Sequence, residues 1–259
     1  METDLFAIAG KTALITGGSR GIGAMIAKAY ADAGARVYVA ARKADELNQL
    51  VAAIGDRGSC VAIVADLATI EGVQKLAAAF AAQESQLDIL VNNAGATWGA
   101  PIESFPESGW DKVMDLNVKA MFFLTQALLP HLRASASPAE PARVINISSA
   151  NALRYSHMDN FSYSTSKAAV LALTQHLSAT LAREHILVNA IAPGFFPSKM
   201  TDFLLAVPES RARAEAAVPV KRVGEPDDIG GTAIYLASRA SRYMSGACLL
   251  LDGGVVAQA

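Results

Sequence analysis

The sequence predicts a single α/β domain over residues 1–259, in which helices cover both faces of one doubly wound parallel sheet of about seven strands. Short apolar runs rich in β-branched residues recur along the chain, and longer segments with apolar residues at helical spacing separate them. The runs are nearly unbroken rather than alternating, which is typical of parallel strands buried on both faces. No internal repeat or linker divides the chain.

Each predicted strand is an apolar run that ends at turn residues. The first, TALIT, leads into a glycine-rich stretch, and the fifth, RVINIS, leads into a serine and an alanine. The strands are predicted, in chain order, at 12–16, 36–40, 60–65, 87–92, 143–148, 187–192 and 248–254.

Helices are predicted between these strands. The first begins in the glycine-rich stretch and stops at Gly34, and Asp45 is the expected N-cap of the second. Residues 134–142 have loop composition, and an irregular stretch precedes the last helix. The remaining helices are predicted at 45–54, 72–84, about 109–133, 161–184 and about 226–237.

Composition and charge exclude several function classes. The chain is 52% hydrophobic and 18% charged, so it can bury a large core. Its net charge of −2 and the lack of a Lys/Arg-rich run give no support to binding of nucleic acid or membrane surfaces. The N-terminus lacks the pattern of a signal peptide, and no apolar run approaches the ~20 residues of a membrane span. We therefore expect a cytoplasmic protein, with Cys60 and Cys248 as small buried hydrophobes in a reducing compartment.

The stretch TGGSRGIG, residues 16–23, lies between the first strand and the first helix. Gly17, Gly21 and Gly23 permit a tight turn and a close approach of the backbone to a pyrophosphate, while the helix N-terminus offers free N–H groups. Such a triplet can also be a mere turn, but the strand before it and the helix after it favour a dinucleotide site of the Rossmann type.

The end of the second strand indicates which dinucleotide binds. Sites for NAD usually have an acid there, to accept hydrogen bonds from the adenosine ribose, whereas this strand ends in Ala40, Ala41 and Arg42. Arg42 can form a forked contact with a 2′-phosphate, and Arg20 in the glycine-rich turn can reach the same group. The sequence therefore favours NADP(H), the alternative being that both arginines are solvated surface residues.

Tyr163 and Lys167 lie four residues apart in FSYSTSK, so they share one face of a helix. Both side chains normally titrate near ~10 or above. A neighbouring ammonium favours the phenolate, so we expect Lys167 to lower the pKa of Tyr163 and fit it for proton transfer. Alone, the pair is also compatible with one turn of an ordinary amphipathic helix.

Six motifs in order resemble the short-chain dehydrogenase/reductase family over nearly the whole chain. They are TGGSRGIG, NNAG at 92–95, LNV at 116–118, INISS at 145–149, YSTSK at 163–167 and APG at 192–194. The resemblance implies that Tyr163 is the general acid/base, and that Lys167 binds the nicotinamide ribose and lowers the tyrosine pKa. It implies that Ser149 bonds the substrate carbonyl and that Asn117 supports a proton-relay water, a role that a kinked or irregular helix there would fit.

The resemblance also implies a cofactor site along the whole cleft. Asp66 and Leu67 match positions around the adenine, and Pro193 and Gly194 begin the loop beside the nicotinamide. The residues expected to bind NADP(H) are Gly17, Gly18, Ser19, Arg20, Gly21, Ile22, Gly23, Arg42, Asp66, Leu67, Asn93, Gly95, Tyr163, Lys167, Pro193, Gly194, Phe196 and Ser198.

Three features depart from the family pattern. Ser198 replaces the usual threonine that binds the carboxamide. The spacing from Ser149 to Tyr163 is one residue longer than the commonest, so Ser148 and even Ala150 compete with Ser149 for the catalytic position. Residues 181–189 are shorter than the matching stretch in many acyl-carrier-protein reductases, which leaves both acyl-CoA and acyl carrier protein open as the carrier.

Within the family, the stretches 87–118 and 192–201 resemble bacterial 3-oxoacyl-[acyl-carrier-protein] reductases, in particular the NADPH-dependent type associated with rhamnolipid synthesis. An apolar segment at about 195–219 is predicted to form a substrate lid. Trp98, Phe195 and Met200 are expected to line the substrate pocket, although the lid's apolar residues can equally pack on the core or on a neighbouring subunit.

The resemblance implies a reductase of 3-oxoacyl thioesters or similar ketones that assembles as a homotetramer. One alternative is a dehydrogenase of sugars, polyols or steroids, and another is an NADP(H)-sensing scaffold without catalysis. The four histidines, His131, His157, His176 and His185, have no metal-ligand spacing, so no catalytic metal is expected.

Overall fold

The computed structural model describes residues 4–156 and 158–258. Within them, one parallel sheet contains the strands β1 (Thr12–Thr16), β2 (Arg36–Ala41), β3 (Ser59–Val64), β4 (Ile89–Asn92), β5 (Ala142–Ile147), β6 (Ile186–Pro193) and β7 (Cys248–Leu251). Their order across the sheet is β3-β2-β1-β4-β5-β6-β7. Each of the predicted strands is present, to within two or three residues at the ends, and the predicted fold class is confirmed.

Helices connect successive strands and lie on both faces of the sheet. They are α1 (Gly21–Asp32), α2 (Ala44–Ile54), α3 (Ile70–Ala81), α4 (Glu107–Met114), α5 (Ala120–Ser135), α6 (Phe161–Leu181), α7 (Asp202–Leu205), α8 (Pro208–Ala217) and α9 (Pro226–Ala237).

Neighbouring residues of one strand supply two separate cores. Ile15 of β1 packs in a cluster with residues of α1, α2 and α9, whereas Leu14 packs in a second cluster with residues of α3 and α5. Both side chains are fully buried. The nearly unbroken apolar runs follow from this arrangement, because each strand is covered on its two faces.

Two local predictions were wrong, whereas the helical region predicted at about 109–133 is present as α4 and α5 joined by a π turn, Asp115–Lys119. Lys43, not Asp45, is the N-cap of α2; it provides no side-chain cap, and Asp45 lies in the first turn. The stretch before the last helix, expected to be irregular, contains α7 and α8.

The cysteine prediction also needs correction. Cys60 is half-buried and Cys248 is exposed, and both are free thiols. Cys248 is accessible because β7 is an edge strand whose side chains alternate between exposed and partly buried positions. Among the described residues, no helix has the length and apolar character needed to cross a membrane.

Candidate active site

The carboxyl ends of the strands form a cleft at the point where the strand order reverses. β1 and β4 are neighbours there although β2 and β3 come between them in the chain, and such a reversal opens a crevice for ligands. The predicted site residues that line this cleft are Gly17, Ser19, Arg20, Gly21, Ile22, Arg42, Asp66, Leu67, Asn93, Gly95, Ser149, Tyr163, Lys167, Pro193, Gly194, Phe196, Ser198 and Met200. The structure places five others outside this lining: Gly18, Gly23, Trp98, Asn117 and Phe195.

The glycine-rich turn leaves room that a side chain would fill. Gly17 has a φ of 63°, and a Cβ on it would lie 2.9 Å from the Cα of Ala94. A Cβ on Gly23 would lie 2.4 Å from the carbonyl oxygen of Gly17. Arg20, the N-cap of α1, makes no side-chain cap, so the first N–H groups of α1 remain available to an anion. These features fit the pyrophosphate of a dinucleotide.

Thr16 and Asn93 hold this turn against the end of β4. The Asn93 side-chain amide donates to the carbonyl oxygens of Thr16 at 2.9 Å and Gly17 at 3.1 Å. The Thr16 hydroxyl accepts from the backbone N–H groups of Asn93 and Ala94, both at 3.0 Å. Sequence reasoning missed Thr16, although a threonine at the last position of a strand before a glycine turn is a usable signal.

The outer end of the cleft is basic, and the carboxylate of Glu46 lies among its cations. Arg42 lines it together with Arg20, Ser19 and Lys43. Glu46 of α2 accepts hydrogen bonds from Ser19 at 3.1 Å and from Arg20 at 3.0 Å, and pairs with Lys43 at 2.9 Å. The hydrogen bond from Lys43, then those from Ser19 and the charges of Arg20 and Lys43, hold the Glu46 pKa below its usual range. Lys43 and Glu46 were not identified from the sequence.

Asn117 lies behind the cleft wall in the π turn and is fully buried. Its side-chain oxygen accepts from the Ala96 N–H at 2.8 Å, and its amide donates to the Ala96 carbonyl at 3.0 Å. A Cβ on Gly95 would lie 3.3 Å from this oxygen and 3.7 Å from the Lys167 Nζ. Asn117 therefore fixes the loop after β4 next to the lysine, and the π turn makes the helix around it irregular.

The two candidate serines have different partners. The Ser148 hydroxyl donates to the carbonyl of Lys167 at 2.8 Å and is buried. The Ser149 hydroxyl accepts from the backbone N–H of Asn151 at 3.2 Å, and its hydrogen bond to Tyr163 lowers the tyrosine pKa. The geometry therefore favours Ser149 over Ser148 as the serine that works with Tyr163.

Tyr163 and Lys167 lie one turn apart on α6 and meet in the cleft. The Lys167 Nζ lies 5.7 Å from the centre of the Tyr163 ring and donates to the carbonyl of Ile147 at 2.8 Å. Lys167 is only 4% exposed. This burial excludes the reading of the pair as an ordinary exposed helical turn.

The expected lowering of the Tyr163 pKa is not found. Burial raises the pKa of Tyr163, and the hydrogen bond from Ser149 opposes this without reversing it. Burial also lowers the pKa of Lys167 to about 8. The reason is that both groups lose water on the same cleft wall, and desolvation disfavours the charged form of each.

Comparison with known proteins identifies the family. A family model described as enoyl-(acyl carrier protein) reductase matches residues 17–256. A rhamnolipids biosynthesis 3-oxoacyl-[acyl-carrier-protein] reductase from Pseudomonas aeruginosa is 47% identical over 249 residues, which cover 96% of this chain and 97% of that protein. The chain belongs to the short-chain dehydrogenase/reductase family.

Members of this family also supply the structural match. The Pseudomonas aeruginosa RhlG/NADP active-site complex superposes with a TM-score of 0.95 at 46% identity, covering 98% of this chain and 99% of that one. A gluconate 5-dehydrogenase from Gluconobacter oxydans is 34% identical over 97% of both chains. The family predicted from the six motifs is therefore confirmed.

The three predicted substrate residues of this family member do not lie together. Met200 lines the cleft and is 39% exposed. Phe195 lines a separate small cavity with Val218 and Val220. The Lys112 ammonium lies over Trp98, 5.0 Å from the centre of the indole ring. Only Met200 therefore stands where the sequence expectation put it.

Across residues 4–156 and 158–258, no three His, Cys, Asp or Glu side chains are grouped so as to hold a metal ion. His157, one of the four histidines considered from the sequence, lies outside the described residues.

Proposed function

We propose that the chain is an NADPH-dependent ketoreductase whose substrate is a 3-oxoacyl thioester, which it reduces to the 3-hydroxyacyl thioester. The observation that carries the proposal is the convergence of Ser149, Tyr163 and Lys167 on the cleft beside the glycine-rich turn. Protonation of a carbonyl oxygen needs such groups: two hydroxyl donors and a nearby cation.

When bound, NADPH supplies the hydride that the ketone carbon gains. The hydroxyls of Ser149 and Tyr163 are close enough to hydrogen-bond each other, so both can donate to the ketone oxygen as negative charge develops on it. Tyr163 then transfers its proton to that oxygen, and the Lys167 ammonium stabilises the phenolate that remains. The raised pKa of Tyr163 suits this direction, because it keeps the phenol protonated at neutral pH.

The outer end of the cleft supports NADP(H) rather than NAD(H). Arg20, Arg42 and Lys43 all line it, where β2 ends without an acid. A 2′-phosphate is an anion that such donors bind through charge-assisted hydrogen bonds. The glycine-rich turn would hold the pyrophosphate, Asp66 and Leu67 the adenine, and Lys167 the nicotinamide ribose.

The segment 195–219 supports an acyl substrate, and we propose that it acts as a lid. It exposes Met200, Phe203 and Val207 by 39%, 68% and 46%. Met200 also lines the cleft, so one member of this exposed apolar set borders the reaction site. An acyl chain would cover this set, whereas a sugar would leave it in water.

We also propose that the protein is cytoplasmic and that it assembles as a homotetramer. The free thiols of Cys60 and Cys248 suit a reducing cytoplasm. The edge strand β7 leaves Leu250 40% exposed, and such an edge is suited to pairing with a second copy in a homotetramer. Acyl-CoA and acyl carrier protein both remain candidate carriers of the thioester.

The second candidate is a sugar or polyol dehydrogenase, which the 34% identical gluconate 5-dehydrogenase favours. The experiment measures NADPH oxidation with 3-oxoacyl thioesters of short, medium and long chains, on CoA and on carrier protein, and with 5-oxogluconate. Rates that rise with chain length support the proposal. Turnover of 5-oxogluconate alone would replace it with the sugar enzyme, and NADPH binding without turnover of any ketone would favour a sensor.

A further inference from the structure

The carboxylate of Glu46 is bonded to donor groups at the basic end of the cleft. It accepts from the Arg20 guanidinium at 3.0 Å and 3.2 Å through its two oxygens. It also accepts from the Ser19 hydroxyl at 3.1 Å and pairs with the Lys43 ammonium at 2.9 Å. One anion therefore collects a guanidinium, an ammonium and a hydroxyl.

This donor set is the one that a phosphate monoester takes in proteins. The side chain of Glu46 is 26% exposed, and the residue lines the cleft beside Arg42. Among the ion pairs of residues 4–156 and 158–258, none involves Arg42. Two of the three cations near the adenosine end, Arg20 and Lys43, thus share one carboxylate, and Arg42 has no ion pair among the described residues.

We propose that Glu46 is an internal occupant of the 2′-phosphate position, and that NADP(H) must displace its carboxylate from Ser19, Arg20 and Lys43 to bind. The proposal rests on the NADP(H) specificity proposed above, and it assigns to Glu46 an effect that reduces this specificity. Glu46 thereby weakens the discrimination between NADP(H) and NAD(H) that the three cations would otherwise produce.

The physical reason is competition between two anions for the same donors. The phosphate and the carboxylate repel each other at contact distance, so the carboxylate has to turn away before the phosphate can use Arg20 and Lys43. Its pKa lies below the usual range, so it is ionised at neutral pH and does not leave by protonation. When the dinucleotide has no 2′-phosphate, Glu46 keeps Arg20 and Lys43 paired, so of the three cations only Arg42 is left without an ion pair among the described residues.

The test compares Glu46→Gln with a matched variant, Asp45→Asn. Asp45 precedes Glu46 on α2, is exposed and does not line the cleft. Both changes remove one negative charge from the same helical turn, so any difference between them comes from the contacts of Glu46. The ligands are 2′,5′-ADP and 5′-AMP, which differ only in the 2′-phosphate, and calorimetry on the full chain gives their Kd values without turnover.

We expect Glu46→Gln to bind 2′,5′-ADP more tightly than the wild type by about threefold to tenfold. The 2′-phosphate then no longer has to break a few exposed ion pairs of modest strength before it can bind the cations. Binding of 5′-AMP should not change, and Asp45→Asn should match the wild type with both ligands. NADPH and NADH should show the same contrast.

Equal effects of Glu46→Gln and Asp45→Asn would overturn the proposal while leaving NADP(H) specificity intact. Weaker binding of 2′,5′-ADP by Glu46→Gln would also overturn it, because Glu46 would then be orienting the cations for the phosphate. A wild type and a Glu46→Gln variant that both bind 2′,5′-ADP no better than 5′-AMP would overturn the NADP(H) assignment and this inference together.

Discussion

Asn117 donates a hydrogen bond from its side-chain amide to the hydroxyl of Ser166 across 2.9 Å. Ser166 in turn donates to the backbone carbonyl of Tyr163 at 2.7 Å, while Asn117 also bonds both backbone polar groups of Ala96. This chain of hydrogen bonds joins the π turn, the loop after β4 and the first turn of α6. It therefore couples the position of Tyr163 to elements far away in sequence.

Ser166→Ala tests that coupling. The substitution removes a buried acceptor of Asn117, so we expect it to lower the free energy of unfolding by about 1–2 kcal/mol. It should also lower kcat while leaving the KM for NADPH almost unchanged, because Tyr163 loses positioning and the cofactor cleft keeps its lining. The control is Ser164→Ala on the same helix, whose hydroxyl has one long hydrogen bond of 3.4 Å. Thermal unfolding and steady-state kinetics measure both effects, and equal behaviour of the two variants would refute the coupling.

Tyr163→Phe should slow reduction strongly but retain cofactor binding. Loss of a positioned acid lowers turnover by about 10²–10⁴-fold. Phenylalanine keeps the ring, so the Kd for NADPH should change little. Tyr243→Phe removes a phenol that is fully exposed, and its turnover should equal that of the wild type. Single-turnover assays and binding titrations give the two quantities; a Tyr163→Phe variant with wild-type turnover would remove Tyr163 from the mechanism.

The pH profile should depend on Lys167. Burial lowers the pKa of Lys167 to about 8, so it is charged at neutral pH and neutral above that value. The ammonium supports the phenolate, and Tyr163 with its raised pKa stays protonated over the same range. We therefore expect kcat/KM for reduction to be level near neutral pH and to fall as pH rises through about 8.

A lysine variant outside the site provides the control for this profile. Lys75 of α3 is exposed and does not line the cleft, so Lys75→Met should keep the wild-type fall. Lys167→Met should be slow at every pH and show no such fall. A wild-type rate that stays level well above pH 8, or a fall that persists in Lys167→Met, would assign the titration to another group.

The sheet and most helices could be predicted because their signals are local. A strand covered on both faces is nearly apolar throughout, so the sequence TALIT predicts β1 directly. The helix α9 was predicted with its observed bounds because Pro226 marks its first turn. The glycine turn and the Tyr163–Lys167 pair are likewise contained within a few consecutive residues.

The features that were missed depend on contacts between distant residues. The π turn places Asn117 against Ala96, 21 positions away, and the residues around 115–119 predict helix without indicating this contact. Glu46 accepts a hydrogen bond from Arg20 although 26 positions separate the two residues in sequence. Its place in the first turn of a helix therefore gave no indication of this contact. The pKa of Tyr163 was predicted in the wrong direction, because spacing reveals the nearby lysine but not the loss of water that both groups share.

Substitution by alanine should have different effects at two glycines: loss of NADPH binding at Gly23 and higher stability at Gly231. Gly23→Ala places a methyl group 2.4 Å from the Gly17 carbonyl oxygen, so the turn must open and NADPH binding should be lost. Gly231 lies inside α9, is exposed, and a Cβ on it meets nothing within 4 Å. Alanine there should stabilise the protein by about 1 kcal/mol through helix propensity alone. That gain corresponds to a Tm increase of about 2–4 °C for a chain of this size, with unchanged NADPH affinity.

Differential scanning calorimetry and NADPH titration separate these two effects. Because Gly231 has open space around it, a lower Tm for Gly231→Ala would mean that α9 is covered there by a neighbouring subunit, which the tetramer proposal would then have to include. If Gly23→Ala retained wild-type NADPH affinity, the close packing of Gly23 on Gly17 would not be what shapes the turn. The expected pair of results, one variant more stable with intact binding and the other without binding, ties the cofactor cleft to backbone contact at Gly23 rather than to glycine content in general.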